Sequence, residues 1–160
     1  MAVIATSTPM LSSVLMGDST SLVPDYNYAR VACKEAAATD YVLGQVIVYN
    51  GTDAMKALKA ADFDINDLII TTDSLFPDGA LLGVVVGFDS LGDAWTASVG
   101  TTAKTVNGLF RGVVGVKENG LKFDAGLSTV QVAAAKKQLE KQGIDIKAVG
   151  AAVTSSYYGV

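Results

Sequence analysis

Histidine is absent from the 160-residue chain, and cysteine occurs once, at Cys33. Histidine is the side chain most used for proton transfer near neutral pH, and it is the commonest metal ligand. Its absence excludes Ser-His and Cys-His acyl-transfer sites and the usual zinc sites. A single cysteine excludes an internal disulfide and a multi-cysteine metal site. We expect Cys33 to be a small buried apolar residue rather than a reactive thiol.

Long apolar runs and an early basic residue are also missing. No apolar stretch approaches the roughly 18 residues that a membrane helix needs, so we expect no membrane partner. The first basic residue is Arg30, and Pro9 and Ser12 interrupt the apolar stretch near the N-terminus. A secretion signal has a positive start and a continuous apolar core, so this sequence predicts synthesis in the cytoplasm.

Charge is sparse and unevenly distributed. Only 18% of the residues are charged, and the formal net charge of −4 argues against nucleic acid as a partner. Residues 1–100 carry four basic against twelve acidic side chains, whereas residues 101–160 carry eight basic against four acidic ones. If the two parts form different faces, the surface suits stacking against copies of the chain or against an acidic scaffold. The alternative is chance placement of solvated charges.

The first 29 residues differ in composition from the rest. They contain no lysine or arginine, eight Ser or Thr within the first 21 positions, and scattered large apolar residues whose spacing fits neither helix nor strand. These features predict an extended N-terminal arm that becomes ordered on a partner. The alternative is that the segment wraps its own domain. We therefore divide the chain into an arm with the first strand, 1–40, and a single compact β-rich domain, 41–160.

Strand signals dominate after the arm. The run 81–88 is almost continuously apolar, so we expect it to be buried on both faces. Asn50-Gly51 is a turn signal, and Glu118-Asn119-Gly120 predicts a tight hairpin because Asn-Gly supplies the two positive φ angles of a type I′ turn. Runs rich in β-branched and aromatic residues predict strands at 28–33, 41–49, 68–72, 81–88, 94–99, 109–116, 121–123 and 144–149.

One helix, about 129–141, is specified by the residues at its ends. Ser128 and Gln131 have the spacing of a capping box, in which each side chain accepts a backbone hydrogen bond from the other residue. Gly143 is placed for the left-handed residue that ends a helix. The apolar pair expected at this Schellman ending is Leu139 and Ile144.

Many strands and one well-capped C-terminal helix, without a β-α-β rhythm, predict an α+β fold that is mainly β. A second, short helix is predicted at 52–61, with Thr52 or Asp53 as its cap. Glycines inside the predicted strands indicate bends or bulges of a small, strongly curved sheet or barrel. These glycines are Gly44, Gly83, Gly87, Gly112 and Gly115.

Motifs that carry chemistry are weak. Asp62-x-Asp64-x-Asn66 opens like a calcium loop, but position six is Asp67 instead of glycine and position twelve is Asp73 instead of glutamate. No phosphate-binding glycine motif or nucleophile elbow is present. We therefore predict no catalytic residue, no metal and no cofactor. An enzyme that uses these carboxylates remains an alternative.

One set of residues within 108–147 forms a recognisable pattern: Arg111, Gly112, Val116, Leu121, Leu139, Gly143 and Ile144. In this pattern the segment is similar to the C-terminal part of tailed-phage head decoration, or capsid cement, proteins. The similarity covers roughly 41–149 and includes the upstream Gly44-x-Val46 and the run 82–87. It implies homotrimers on the outer face of an icosahedral head, with an N-terminal arm that contacts the major capsid protein.

Together these features predict a structural virion protein rather than an enzyme. It would bind the outer surface of an expanded phage capsid and stabilise it against internal DNA pressure. The alternative is a glycan- or protein-binding module of a virion surface or tail, with Trp95 as a candidate anchor. The predicted capsid-binding residues are Met10, Leu11, Val14, Leu15, Leu22, Val23, Tyr26 and Tyr28.

Overall fold

The computed structural model describes residues 14, 28–66, 80–88, 96–111 and 115–148. These residues form nine strands, one α-helix and two 3-10 turns, which confirms a mainly β fold with a C-terminal helix. The helix is α1 (Thr129–Lys141), and the 3-10 turns are Ala60–Asp62 and Glu118–Gly120. The strands are β1 (Tyr28–Cys33), β2 (Thr39–Val42), β3 (Val46–Tyr49), β4 (Met55–Ala57), β5 (Leu82–Phe88), β6 (Thr96–Val99), β7 (Lys104–Leu109), β8 (Gly115–Lys117) and β9 (Asp145–Lys147).

Five strands close into a barrel in the order β1-β4-β3-β5-β7, which confirms the predicted curved sheet or barrel. β1 pairs antiparallel with β7 along all six of its residues, so the first strand belongs to the barrel. The β5–β7 register shifts between Val85 and Gly87, which places an irregularity at one of the predicted glycines. Two small sheets flank the barrel, an antiparallel β2–β6 pair and a parallel β8–β9 pair.

Two apolar clusters lie on opposite faces of the barrel wall. The interior cluster takes residues from all five strands, with Ile47 and Val85 fully buried at its centre. The exterior cluster lies between β3, β5 and β7 on one side and α1 with β8 on the other. Because successive side chains of a strand alternate, Val46 and Val48 face the exterior cluster while Ile47 faces the interior. The predicted burial of β5 on both faces is thereby confirmed over Leu82–Val86.

Helix α1 has the predicted ends. Ser128 Oγ accepts from the Gln131 N–H at 3.2 Å, and the Ser128 N–H donates to Gln131 Oε1 at 3.0 Å. Gly143 has φ +91°, and the Ile144 N–H donates to the Leu139 carbonyl at 3.2 Å, as a Schellman ending requires. Ala135 and Leu139 are its buried residues.

The Gln142 side chain ties the end of α1 to the barrel. Its Nε2 donates to the Leu82 carbonyl at 2.7 Å and to the Phe110 carbonyl at 2.9 Å. Its Oε1 accepts from the Leu82 N–H at 3.0 Å. A single amide thus satisfies three backbone groups at the start of β5 and just after β7.

The predicted strand at 41–49 is wrong as one element, because it is divided into β2 and β3. Gly44 has φ +84°, a conformation that interrupts a strand and that side chains with a Cβ rarely adopt. A Cβ on Gly44 would lie 1.9 Å from the Gly120 carbonyl oxygen. The turn therefore depends on close approach between two segments that are far apart in the sequence.

The predicted short helix at 52–61 is also wrong. The Asn50 side-chain oxygen accepts from the N–H groups of Thr52, Asp53 and Ala54, and Gly51 has φ +85°. This turn sends the chain back as β4, antiparallel to β3. Only the 3-10 turn Ala60–Asp62 remains helical, because backbone pairing with β3 replaces the helical bonds of the preceding residues.

The predicted hairpin at 118–120 is wrong as well. Glu118–Gly120 form a 3-10 turn, Gly120 lacks positive φ, and β8 pairs in parallel with β9 instead of with 121–123. Lys122 forms a bridge with Gln45. The strands predicted at 94–99 and 144–149 are confirmed over Thr96–Val99 (β6) and Asp145–Lys147 (β9), and residues 94, 95 and 149 lie outside the described residues. The strand predicted at 109–116 is not one element, because β7 ends at Leu109 and β8 begins at Gly115. Residues 112–114 between them, and the strand predicted at 68–72, lie outside the described residues.

The contact between the two turns makes Gly44 sensitive to substitution. We expect Gly44→Ala to lower the free energy of unfolding by about 2–5 kcal/mol, from backbone strain together with the overlap on Gly120. Gly100→Ala is the matched control, since a Cβ there meets no atom within 4 Å, and we expect it to change stability by less than about 0.5 kcal/mol. Urea unfolding measures both, and equal stability of the two variants would contradict the assigned turn.

Candidate functional site

The junction between β1 and β4 is the shortest pairing in the barrel. The strands share one paired position, Cys33 with Met55, and the Lys34 N–H extends it by donating to the Met55 carbonyl at 2.9 Å. A longer parallel ladder would direct the Ala57 N–H to a carbonyl of the β1 chain. That N–H instead donates to Oε1 of Glu35 at 2.6 Å. A side chain therefore completes the closure of the barrel.

Glu35 is the one buried charged residue in the described part of the chain. Its Oε1 also accepts from the Tyr41 hydroxyl at 2.6 Å, and Lys59 Nζ lies 3.3 Å from Oε2. The Glu35 N–H donates to the Gly100 carbonyl at 2.9 Å. The carboxylate thus joins the segment after β1 to β4 and to β2, and the Glu35 backbone joins it to the residue after β6. A buried charge is stable when it is hydrogen-bonded and paired in this way.

Two groups beside Glu35 are held in their protonated forms. Burial raises the pKa of the Cys33 thiol to about 12, and the nearby Glu35 charge contributes to the same shift. Burial also raises the pKa of the Tyr41 phenol above its ordinary value, helped by the hydrogen bond to Glu35. At neutral pH neither group forms the anion that nucleophilic attack needs. The predicted role of Cys33 as a small buried residue is confirmed.

A concave apolar surface lies at the Met55 end of β4, while Glu35 contacts Ala57 at the other end. We call this surface the barrel mouth, and its volume is about 350 Å³. The Phe110 ring in its lining lies close to Gly83 and Gly108, where a Cβ would come within 2.5 and 2.7 Å of ring carbons. Those two glycines therefore make room for the ring. The lining residues are Ala29, Val31, Ala32, Tyr49, Asp53, Ala54, Met55, Leu81 and Phe110.

The polar side chains of the mouth already have partners within the chain. Asp53 Oδ2 accepts from Lys34 Nζ at 2.6 Å, and Asp53 Oδ1 accepts from Asn50 Nδ2 at 3.3 Å. These two contacts lower the pKa of the Asp53 carboxyl. The Tyr49 hydroxyl donates to the Thr52 carbonyl at 2.9 Å. The mouth consequently offers a partner mainly apolar area, whose burial is favourable by about 25 cal/mol per Å².

The predicted capsid-binding residues are only partly within the described structure. Val14 is 1% exposed in the exterior cluster, and its carbonyl accepts from the Lys117 N–H at 2.7 Å. The Val14 side chain packs against its own domain, which agrees at this residue with the alternative that the segment wraps its own domain. Tyr28 begins β1, where its backbone pairs with Leu109. The others lie outside the described residues: Met10, Leu11, Leu15, Leu22, Val23 and Tyr26, as does Trp95.

The calcium-like acidic stretch has other roles where it is described. Asp62 forms an ion pair with Lys56 and accepts from the Lys59 N–H at 2.8 Å. Asp64 accepts from the Asn66 N–H at 2.9 Å. The described residues contain no group of three or more Cys, Asp or Glu side chains that could hold a metal ion. The stretch is a 3-10 turn and its exit, and the two remaining acids of the motif, Asp67 and Asp73, lie outside the described residues.

The Glu35 network and the mouth were not found from the sequence. Glu35 contacts Ala57 and Lys59, which are 22 and 24 residues away, so no local spacing indicates the cluster. The mouth combines four separate stretches of chain, around β1, the β3–β4 turn, Leu81 and Phe110. The available signals were an acid two residues after the end of a predicted strand, and glycines in two predicted strands with one phenylalanine close by in the sequence.

Loss of the Glu35 carboxylate should destabilise the protein more than loss of its ion-pair partner, Lys59. We expect Glu35→Ala to lower the free energy of unfolding by about 2–5 kcal/mol, because two buried donors lose their acceptor. Lys59→Ala should cost less than about 1 kcal/mol, since the Lys59 side chain is 44% exposed and the pair is screened. Urea unfolding of both variants measures the difference. A Lys59 variant as unstable as the Glu35 variant would show that the ion pair, not the acceptor, closes the barrel.

The Cys33 thiol should react only when the barrel opens. At a pH of about 8.5 an exposed cysteine is half ionised, whereas the pKa of about 12 keeps Cys33 protonated. We expect a chromogenic disulfide reagent to modify the native protein no faster than it unfolds, and to modify the urea-unfolded chain at once. Rapid modification of the native protein would contradict the buried position.

Comparison of the chain with protein-family models, with curated proteins and with solved structures finds no match. Within the described residues the longest helix is α1, with 13 residues, and no helix there is long and apolar enough to cross a membrane.

Proposed function

We propose that this chain is a structural virion protein that binds the outer surface of an expanded icosahedral phage capsid and stabilises it against internal DNA pressure. The observation that carries the proposal is an apolar mouth, open to solvent, on a closed barrel with filled apolar clusters on both faces of its wall. The resemblance of residues 41–149 to head decoration proteins supplies the partner, the major capsid protein.

The barrel suits a protein that clamps neighbouring subunits. A closed barrel has no strand edge that peels away easily under load, because each strand is paired on both sides. Here the Glu35 carboxylate strengthens the shortest of those pairings. The side chains of Cys33 and Tyr41, which could act as nucleophiles if exposed, are buried in the interior cluster. These features support a mechanical role over a catalytic one.

Attachment through several weak contacts fits the proposed homotrimer. Linking three copies multiplies the affinity of one contact by about 10² to 10⁴ without new chemistry. The proposed arm contacts are Tyr28 and the apolar residues before it, without Val14 because of its buried position. The remaining arm residues in the proposal are Met10, Leu11, Leu15, Leu22, Val23 and Tyr26. The proposed location is the outer surface of the capsid in the virion.

Sedimentation with capsids tests the proposal. Purified full-length protein, with its mass determined by light scattering, is incubated with expanded empty heads of its source phage and with unexpanded heads. We expect saturable co-sedimentation with expanded heads at a fixed ratio to capsid protein, weaker binding to unexpanded heads, and a trimer mass. A protein that remains in the supernatant with both kinds of head contradicts the proposal. Binding to an immobilised glycan panel would then support the module of a virion surface or tail.

The same assay separates the arm from the barrel. The double variant Leu22→Ser, Val23→Ser removes two apolar contacts of the proposed arm, each with a burial value of about 1.5–3 kcal/mol. Ser19→Ala with Thr20→Ser is the matched control in the same segment. Loss of binding in the first variant alone supports the arm contact, and equal binding of the two contradicts it.

A further inference from the structure

We infer that the edge of β8 is a strand-acceptor site for a second copy of this chain, and that in the homotrimer Val14 of each copy occupies the site on the next copy. The homotrimer rests on the proposed function, whereas the contacts of the site are those that Val14 makes in the single chain. We call the site the Val14 seat. It consists of the Lys117 N–H on the edge of β8, the turn at Gly44 and the exterior cluster around them.

The Val14 seat accepts an apolar side chain on a segment that lies along β8. The Lys117 N–H donates to the Val14 carbonyl at 2.7 Å, which is the kind of backbone bond that an added strand makes. The Val14 side chain is buried in the exterior cluster. A Cβ on Gly44 would lie 3.2 Å from Val14 Cγ2, so the glycine at this turn leaves room for the valine.

The β8 strand has only three residues, and it pairs in parallel with β9. The Lys117 N–H is directed to Val14 instead, which makes Val14 part of the pairing of this short strand. The backbone groups of a strand edge are a template for pairing with another chain. Because every copy carries the same segment and the same seat, the contact has the same chemistry within one chain and between two chains.

The connection from Val14 to the barrel is longer than a seat in the same chain requires. Tyr28 at the start of β1 and Val46 at the start of β3 lie in one row of the barrel wall, three strand spacings apart through β7 and β5. With the step from Val46 to Gly44 and the contact to Val14, the path along the wall is roughly 25 Å. Residues 15–27 connect Val14 to Tyr28, and a chain of that length spans about 46 Å when extended. The excess permits a seat on an adjoining copy.

Exchange of this segment builds a closed assembly without a further complementary surface. Each copy offers one segment and one seat, so copies join head to tail, and three such contacts form a ring when the rotation between copies closes. A tethered segment has an effective concentration in the millimolar range near its neighbour. That concentration compensates for a seat whose described contacts are a backbone hydrogen bond and a buried valine.

A pair of introduced cysteines tests the exchange. Residues joined by a strand-type backbone hydrogen bond have Cα atoms about 5.5 Å apart, which is within the range for a disulfide. In the full chain that carries both Val14→Cys and Lys117→Cys, we expect oxidation to link different copies, so that a non-reducing gel shows covalent trimers. Cys33 does not compete, because burial raises the pKa of its thiol to about 12.

The matched control combines Lys117→Cys with Lys147→Cys. These two residues face each other in the β8–β9 pairing of one domain, so their disulfide stays within the chain and the gel shows monomers. Light scattering before oxidation gives the mass of both variants and of the unaltered protein, and we expect a trimer for all three.

A charge at residue 14 provides a second test. Val14→Asp places a carboxylate in an apolar cluster, so we expect the segment to leave the seat and the mass to fall threefold, from trimer to monomer. Val130→Asp is the control, since Val130 is 59% exposed on α1, and its mass should remain that of the trimer. A folded Val14→Asp variant that remains a trimer contradicts the exchange.

The outcomes separate the exchange from the proposed function. Monomers closed by an internal disulfide between residues 14 and 117 overturn the exchange, whether or not the protein binds heads. Absence of any disulfide between these residues, while the control pair closes, overturns the seat itself. Covalent trimers of a protein that does not sediment with expanded heads support the exchange and contradict the capsid role.

Discussion

The buried Glu35 carboxylate is the interaction on which the closed barrel depends. β1 and β4 meet through one paired position, and the next backbone donor of β4, the Ala57 N–H, is satisfied by Glu35 Oε1. The same oxygen accepts from Tyr41, so the closure also fixes β2 and, through the β2–β6 pairing, the small sheet at that end. Because the acceptor is charged, its hydrogen bonds are about twice as strong as neutral ones. A short strand pairing can therefore close a barrel that encloses a complete apolar cluster.

The two ends of β4 have different consequences for function. At the Ala57 end the Glu35 carboxylate and the Tyr41 hydroxyl bond to each other inside the fold, and burial together with Glu35 raises the pKa of Tyr41. At the Met55 end the wall remains open as an apolar mouth whose polar side chains are already paired within the chain. A firmly closed end with an open apolar end is the arrangement expected of a rigid binding module. This contrast connects the fold to the proposed role on a capsid surface.

The sequence predicted those features that depend on neighbouring residues. The ends of α1 were predicted residue by residue, because the capping box and the Schellman ending are local hydrogen-bond patterns. Burial of β5 on both faces followed from its continuous apolar run. The helix predicted at 52–61 was wrong because the local turn at Asn50 returns the chain as β4 against β3. The turn at Gly44 and the 3-10 turn at 118–120 were mispredicted because each depends on a distant partner, Gly120 and β9. The Glu35 network and the mouth also combine residues that are far apart in the sequence, so neither produces a periodic pattern in it.

Amide hydrogen exchange of the native protein tests the closure of the barrel by Glu35 most directly. The reference is the Val85 N–H, which donates to the Gln45 carbonyl in the centre of the wall at 2.9 Å. If Glu35 closes the barrel, the Ala57 N–H exchanges only through global unfolding and shows the same opening free energy as Val85. Exchange of Ala57 at a rate typical of a frayed strand edge, while Val85 stays protected, would contradict the account, because the junction between β1 and β4 would then be open in the native state.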